Sequence, residues 1–164
     1  MKTLTLIRHA KSSWDDPSLA DFNRPLNKRG RNDAPLMGQI IGTSFSMPDL
    51  ILCSPSKRTS ETIAVIMKKA DYEMELLKYE GELYLADTRT ILYTLSQLDN
   101  QYRHVFVVAH NPGITDCLNQ LTGELIDNVP TCGIAQIQLN INAWQEITPY
   151  SGHLTFYDIP KNHK

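Results

Sequence analysis

His104-Val105-Phe106-Val107-Val108-Ala109 is a run of β-branched, aromatic and small apolar residues that stops against a second histidine, His110. A strand with one wet face alternates apolar with polar positions. A strand that is apolar throughout is covered on both faces, as a central strand of a parallel sheet is. The segments on either side agree. Before it, Thr88 to Leu98 carries Ile91, Leu92, Leu95 and Leu98 at helical spacing. After it come His110-Asn111-Pro112-Gly113 and then an expected helix through Leu121.

The same alternation of strand and helix extends outward. Thr3–Ile7 and Asp49–Cys53 read as strands. Helices are expected over Arg29–Thr43, with Pro35 taken as a tolerable early proline, and over Lys57–Lys69, with Ser54 as its cap. Met74–Leu77 reads as an edge strand and Gly133–Leu139 as a further strand. Trp144–Thr148 is expected to pair antiparallel with His153–Tyr157, and the polar tail 160–164 to fray. Ala10 to Asn27, with Pro17 and Pro25, reads as a long loop, which compact domains keep mainly to build a site. The pattern predicts a three-layer α/β domain, a mostly parallel central sheet flanked by helices.

Composition sets the bounds. The 164 residues fit one domain, 1–164, and 41% hydrophobic content fills one core. A net charge of −2 argues against a broad nucleic-acid or anionic-membrane surface, which needs cationic excess. Met1–Leu6 is followed by Arg8 and His9, too soon for a secretory or membrane-spanning apolar run, so the expected location is cytoplasmic. Cys53, Cys117 and Cys132 are odd in number and lack metal-type spacing, so they read as small buried apolar residues rather than disulfides or a zinc site.

Ligands of open α/β sheets bind just past the carboxyl ends of the strands. Arg8-His9, Ser54 through Arg58, and His110 all fall there. Arginine is a poor metal ligand, but its planar fork suits phosphate oxygens. Two arginines facing one pocket repel unless an anion lies between them, and a phosphoryl group is the simplest anion that fits. A neutral imidazole set against it can attack phosphorus. A second imidazole, if protonated, stabilises the transferring oxygens.

Leu6-Ile7-Arg8-His9-Ala10, Ser54-Pro55-Ser56-Lys57-Arg58-Thr59-Ser60-Glu61-Thr62 and Ala109-His110-Asn111-Pro112-Gly113 together resemble the histidine phosphatase superfamily. So do Asp21-Phe22-Asn23-Arg24-Pro25-Leu26 with Arg29-Gly30, Glu82-Leu83-Tyr84, and Pro130 through Ala135. Within the superfamily the chain is similar to the short SixA-type phosphohistidine phosphatases. The resemblance implies a phosphoglycerate-mutase-like fold and metal-free chemistry without a cofactor. His9 would be the nucleophile, with Arg8, Arg58 and His110 completing the phosphate pocket. Arg24 would add a cationic contact and Glu82 would donate the proton. Ala10 stands where the better-known signature has glycine, a mark of the short subgroup.

The expected activity is hydrolysis of a phosphoryl group through phosphohistidine at His9. The substrate would be a phosphohistidine protein or a small phosphate ester. A non-catalytic phosphate-binding module would keep the arginines but need neither histidine. A mutase would need enclosing segments that this chain lacks, and a nucleic-acid binder would need a basic stripe.

Overall fold

The computed structural model describes residues 1–164. Six strands form one sheet: β1 (Lys2–Arg8), β2 (Leu50–Cys53), β3 (Leu77–Tyr79), β4 (His104–Ala109), β5 (Ile134–Leu139) and β6 (Gly152–Asp158). Their spatial order is β3-β2-β4-β1-β5-β6. The first four run parallel, while β5 is antiparallel to β1 and β6 to β5. Four helices cover the sheet: α1 (Lys28–Ser44), α2 (Lys57–Ala70), α3 (Thr88–Ser96) and α4 (Gly113–Thr122).

β4 lies between β2 and β1, and its unbroken apolar run follows from that position. Val105, Val107 and Ala109 face one core, shared with Leu4, Leu6 and Leu52 and covered by Ile91, Leu95, Ile114 and Leu118 of α3 and α4. Phe106 and Val108 face the other, shared with Ile7, Ile51 and Cys53 and covered by Met37, Ile41, Ile63 and Ile66 of α1 and α2. Each fully buried large aliphatic side chain contributes ~1.5–3 kcal/mol, and the two cores hold the three layers together. All three cysteines are free and buried, behaving as small core residues.

Several local expectations need correction. Ser56, not Ser54, caps α2 by accepting from the Thr59 N–H. Pro35 lies about two turns inside α1, which continues through it. Met74–Leu76 is a 3-10 turn, and the edge strand β3 begins at Leu77. Trp144–Glu146 is also a 3-10 turn rather than a strand; β6 pairs with β5 instead. Trp144 is buried whole and its indole N–H donates to the Tyr102 carbonyl, so its apolar character serves packing. The tail does not fray: Pro160–His163 forms a turn, His163 meets Asp158 at 2.7 Å, and Lys164 reaches the buried Asp33 carboxylate at 2.6 Å. No helix is long and apolar enough to cross a membrane.

The strand ends position everything that follows. Arg8 pairs in register with Ala109, and Cys53 with Val108. The next residues, His9, His110 and Ser54, therefore leave the sheet side by side. Backbone bonds fix them there: the His9 N–H donates to Ala109 O, and the Ser54 N–H to Val108 O.

Candidate active site

His9 leaves β1 with its ring turned back on its own chain. Nδ1 lies 2.7 Å from the Ala10 carbonyl, which can only accept, so Nδ1 carries the proton. The lone pair is left on Nε2, the nitrogen available for attack. The Ala10 N–H donates to Thr62 Oγ1, and Thr62 Oγ1 donates to the Arg58 carbonyl, tying this backbone to α2. His9 is only 7% exposed. Burial pushes its pKa down to about 3, helped by Arg58, His110 and Arg8 and opposed by the Ala10 bond. The imidazole is thus neutral at physiological pH.

His110, at the end of β4, lies 5.4 Å from His9 between ring centroids. Its Nε2 faces Ser54 Oγ at 2.8 Å, and its Nδ1 faces Arg58 Nη2 at 3.2 Å. Arginine cannot accept, so Nδ1 accepts and Nε2 carries the proton. Burial, then Arg58, lowers His110 to about 4, so this imidazole is also neutral at physiological pH.

Arg58 sits in the first turn of α2 and is buried. Besides His110 it donates to the backbone carbonyl and to the Oδ2 carboxylate oxygen of Asp21, at 2.9 and 3.0 Å. Arg8 donates to the Val129 carbonyl at 2.9 Å. Burial, then Arg58, pushes Arg8 below the ordinary guanidinium range. The Nε groups of Arg8 and Arg58 are both buried without a partner. Two cations with idle donors in a buried site form an anion-binding arrangement.

These side chains line a cleft of about 230 Å³ together with Lys11, Ser12, Trp14, Arg24, Leu85, Asn111 and Thr131. Arg24 reaches it, but its guanidinium is largely committed, donating to Asp21 Oδ1, Ser12 Oγ and the Ser13 carbonyl. The loop carrying it is seated by Gly30, where a Cβ would collide with the Lys11 carbonyl oxygen. Glu82 is not brought to this pocket. It is exposed on a short turn, Gly81–Leu83, and lines a neighbouring cleft with Lys78, Glu80 and Tyr93. A proton donor must reach ~2.6–3.2 Å from the leaving atom, and this placement gives Glu82 no such contact.

Sequence reasoning missed two partners. Asp21 accepts from Arg24, Arg58 and the Tyr84 hydroxyl, the last at 2.6 Å. Burial tends to raise this carboxyl, but the Tyr84, Arg24 and Arg58 bonds override it and hold it at about 2. Ser54 is the other, spent on His110 rather than on a helix cap. Asp21 and Tyr84 both stand in motif stretches from which the family resemblance gives roles only to Arg24 and Glu82. An acid three residues before a buried arginine was the available signal. No group of three or more His, Cys, Asp or Glu side chains is placed to hold a metal ion.

The family model of the Histidine phosphatase superfamily (branch 1) matches residues 4–88. An uncharacterised chloroplast protein of Arabidopsis thaliana is 33% identical, with 92% of this chain and 72% of the relative covered. Among solved structures, a candidate phosphohistidine phosphatase SixA from Agrobacterium tumefaciens is 26% identical with a TM-score of 0.82, covering 97% of this chain and 98% of its own. The protein histidine phosphatase SixA complexed with tungstate is 22% identical with a TM-score of 0.83, covering 99% of each chain. The six-stranded sheet and its helices thus match the phosphoglycerate-mutase-like fold of the SixA structures, and the chain belongs to the histidine phosphatase superfamily, of the SixA type.

Proposed function

We propose that this protein hydrolyses phosphoryl groups through a covalent intermediate on His9, without a metal, and that phosphohistidine in proteins is its leading substrate class. The observation that carries the reading is His9 itself: a buried neutral imidazole, its Nδ1 proton committed to Ala10 O, with Nε2 free beside two arginines with idle donors. Tungstate, bound by the SixA relative, is a tetrahedral oxyanion of the same kind as phosphate.

In this mechanism Arg8 and Arg58 take the phosphoryl oxygens, and His9 Nε2 attacks phosphorus in line with the leaving group. The arriving dianion raises the pKa of His110. Its Nδ1 then gains a proton and turns from accepting the Arg58 N–H to donating to a phosphoryl oxygen, stabilising charge in the transition state. The P–N bond of His9-phosphate is next broken by water, releasing phosphate and restoring the neutral imidazole. A phosphoramidate substrate suits a pocket whose nearest carboxyl, Asp21, is held ionised at about 2 and has no proton to give, because the substrate's imidazole, once protonated, leaves readily. An ester of a poorly acidic alcohol lacks that advantage. A small-molecule phosphomonoesterase is the second reading, supported by the small volume of the cleft.

Protein quenched in denaturant during turnover carries acid-labile phosphate on His9, and His9→Ala carries none and is inactive. Activity retained in His9→Ala would overturn the mechanism. Loss of activity with a chelator, restored only by a divalent ion, would overturn its metal independence.

A further inference from the structure

The polar floor of the cleft accounts for a phosphoryl group but not for the composition of its lip. Two lining residues are large, apolar and open to solvent: Trp14, 71% exposed on the loop after β1, and Leu85, 55% exposed just before α3. Single exposed apolar residues are ordinary on a protein surface. These two differ because they come from distant segments to one cationic mouth, and each is constrained there.

The Arg24 guanidinium carbon lies 3.6 Å from the centroid of the Trp14 ring. Arg24 is in turn fixed by Asp21 and Ser12. This contact steadies the indole without burying it. Leu85 has a left-handed backbone, φ 52°, a region that residues with a branched, bulky side chain enter only under strain. Burial does not repay that strain, since more than half of Leu85 lies in water. Strain spent on holding an apolar side chain in solvent at a pocket lip points to contact with a ligand. Beside it, Tyr84 packs edge-on against both Phe22 and His110, at 5.0 and 5.5 Å between centroids, which stiffens the same wall.

In-line attack settles what such a lip would meet. His9 lies at the floor, so the atom that leaves phosphorus, and the group attached to it, must point outward to the mouth. We propose that Trp14 and Leu85 form an apolar clamp that grips the group carrying the phosphoryl. The clamp selects flat aromatic or heteroaromatic carriers, such as an imidazole or phenol ring, over hydrated ringless ones. It rests on the reading that His9 attacks phosphorus from within the cleft.

The test uses two pairs of substrates with the same bond to phosphorus, with and without a ring: N-phosphoimidazole against phosphoramidate, and phenyl phosphate against methyl phosphate. kcat/KM is measured for the wild type, Trp14→Ala and Leu85→Gly. Glycine keeps the left-handed backbone while removing the side chain. Each variant is expected to lose about tenfold on the ring compounds, the scale of a lost apolar contact, and several times less on their ringless partners. Equal losses within a pair, or none, would overturn the clamp. Competition by inorganic phosphate separates the clamp from a loosened Arg24. If phosphate binding weakens in step with turnover, the loss belongs to Arg24 and the clamp is overturned. Wild-type protein that turns over none of the four and carries no phosphate on His9 would instead overturn the phosphatase reading, and the clamp with it.

Discussion

Ser54 Oγ stands 2.8 Å from His110 Nε2, so the residue just past β2 sets the ring just past β4. Arg58, which can only donate, makes Nδ1 the acceptor, and Ser54 takes the Nε2 proton and holds the ring so that Nδ1 faces Arg58. Ser54→Ala leaves a buried N–H unpaired, at a cost of about 1–3 kcal/mol. Urea unfolding should detect that loss, with kcat falling about tenfold as the ring loses its orientation. A variant with wild-type kcat and stability would show that the bond positions nothing.

Asp21 neutralises the pocket from its rim, pairing with Arg24 and Arg58 while its side chain stays 42% exposed. Replacing it with asparagine removes the negative charge nearest the incoming phosphate. Phosphate should then bind more tightly, by up to about fivefold given the solvent screening of a half-exposed pair. Turnover should slow as product leaves less readily and Arg58 loses an anchor. Inhibition by inorganic phosphate together with single-turnover kinetics checks both halves. Weaker phosphate inhibition would mean that alignment of Arg58 outweighs charge.

Acid should destabilise the fold before any carboxylate titrates. His9 and His110 are held at about 3 and about 4 when folded, against 6.5 when free. As pH falls through 6.5 the unfolded chain gains protons that the folded one refuses, so stability drops. The slope is up to about 1.4 kcal/mol per pH unit for each histidine. That decline ends once the folded rings also protonate, near 4 and 3. His104, half-buried beside Phe106 and held at about 4, adds a third contribution. Asp21, at about 2 against 3.8, extends the loss below pH 4. Unfolding midpoints from pH 7 to 4.5 measure this, and His9→Asn should flatten the slope. A stability that is level across that range would contradict the neutral-imidazole assignment.

Glu82→Gln should leave kcat/KM within about twofold for phosphoramidate, aryl and alkyl substrates alike. Its carboxylate lies in the cleft beside Lys78 and Tyr93, out of hydrogen-bond reach of the His9 pocket as the chain is folded. A selective loss on alkyl phosphates would mean that the Gly81–Leu83 turn moves toward the pocket during catalysis.

Strands β1, β2, β4 and β5 were legible because their apolar runs are long enough to reveal burial on one face or both. The four arginine and histidine positions were legible because each follows a strand or opens a helix, where local chemistry and topology coincide. Trp144–Thr148 was misread since its two apolar residues, Trp144 and Ile147, report burial and not backbone shape. Ser54 and Ser56 flank Pro55, and spacing alone assigns the cap to either. Only the register between β2 and β4 shows that Ser54 belongs to His110. Asp21 was missed for a related reason: only its partner Arg24 is local, while Arg58 and Tyr84 are 37 and 63 residues away, beyond the reach of any local pattern.

The insertion of β4 between β1 and β2 has a consequence for the order in which activity can arise. The two earlier strands do not touch in the finished sheet; the later one bridges them. A chain that has emerged from the ribosome only as far as α3 lacks β4 and His110, so nothing yet holds the ends of β1 and β2 side by side. The cluster of His9, Ser54 and His110 is therefore completed only when β4 enters the sheet. Folding itself becomes the step that arms the enzyme, and a truncated or half-folded chain has no phosphate pocket with which to act.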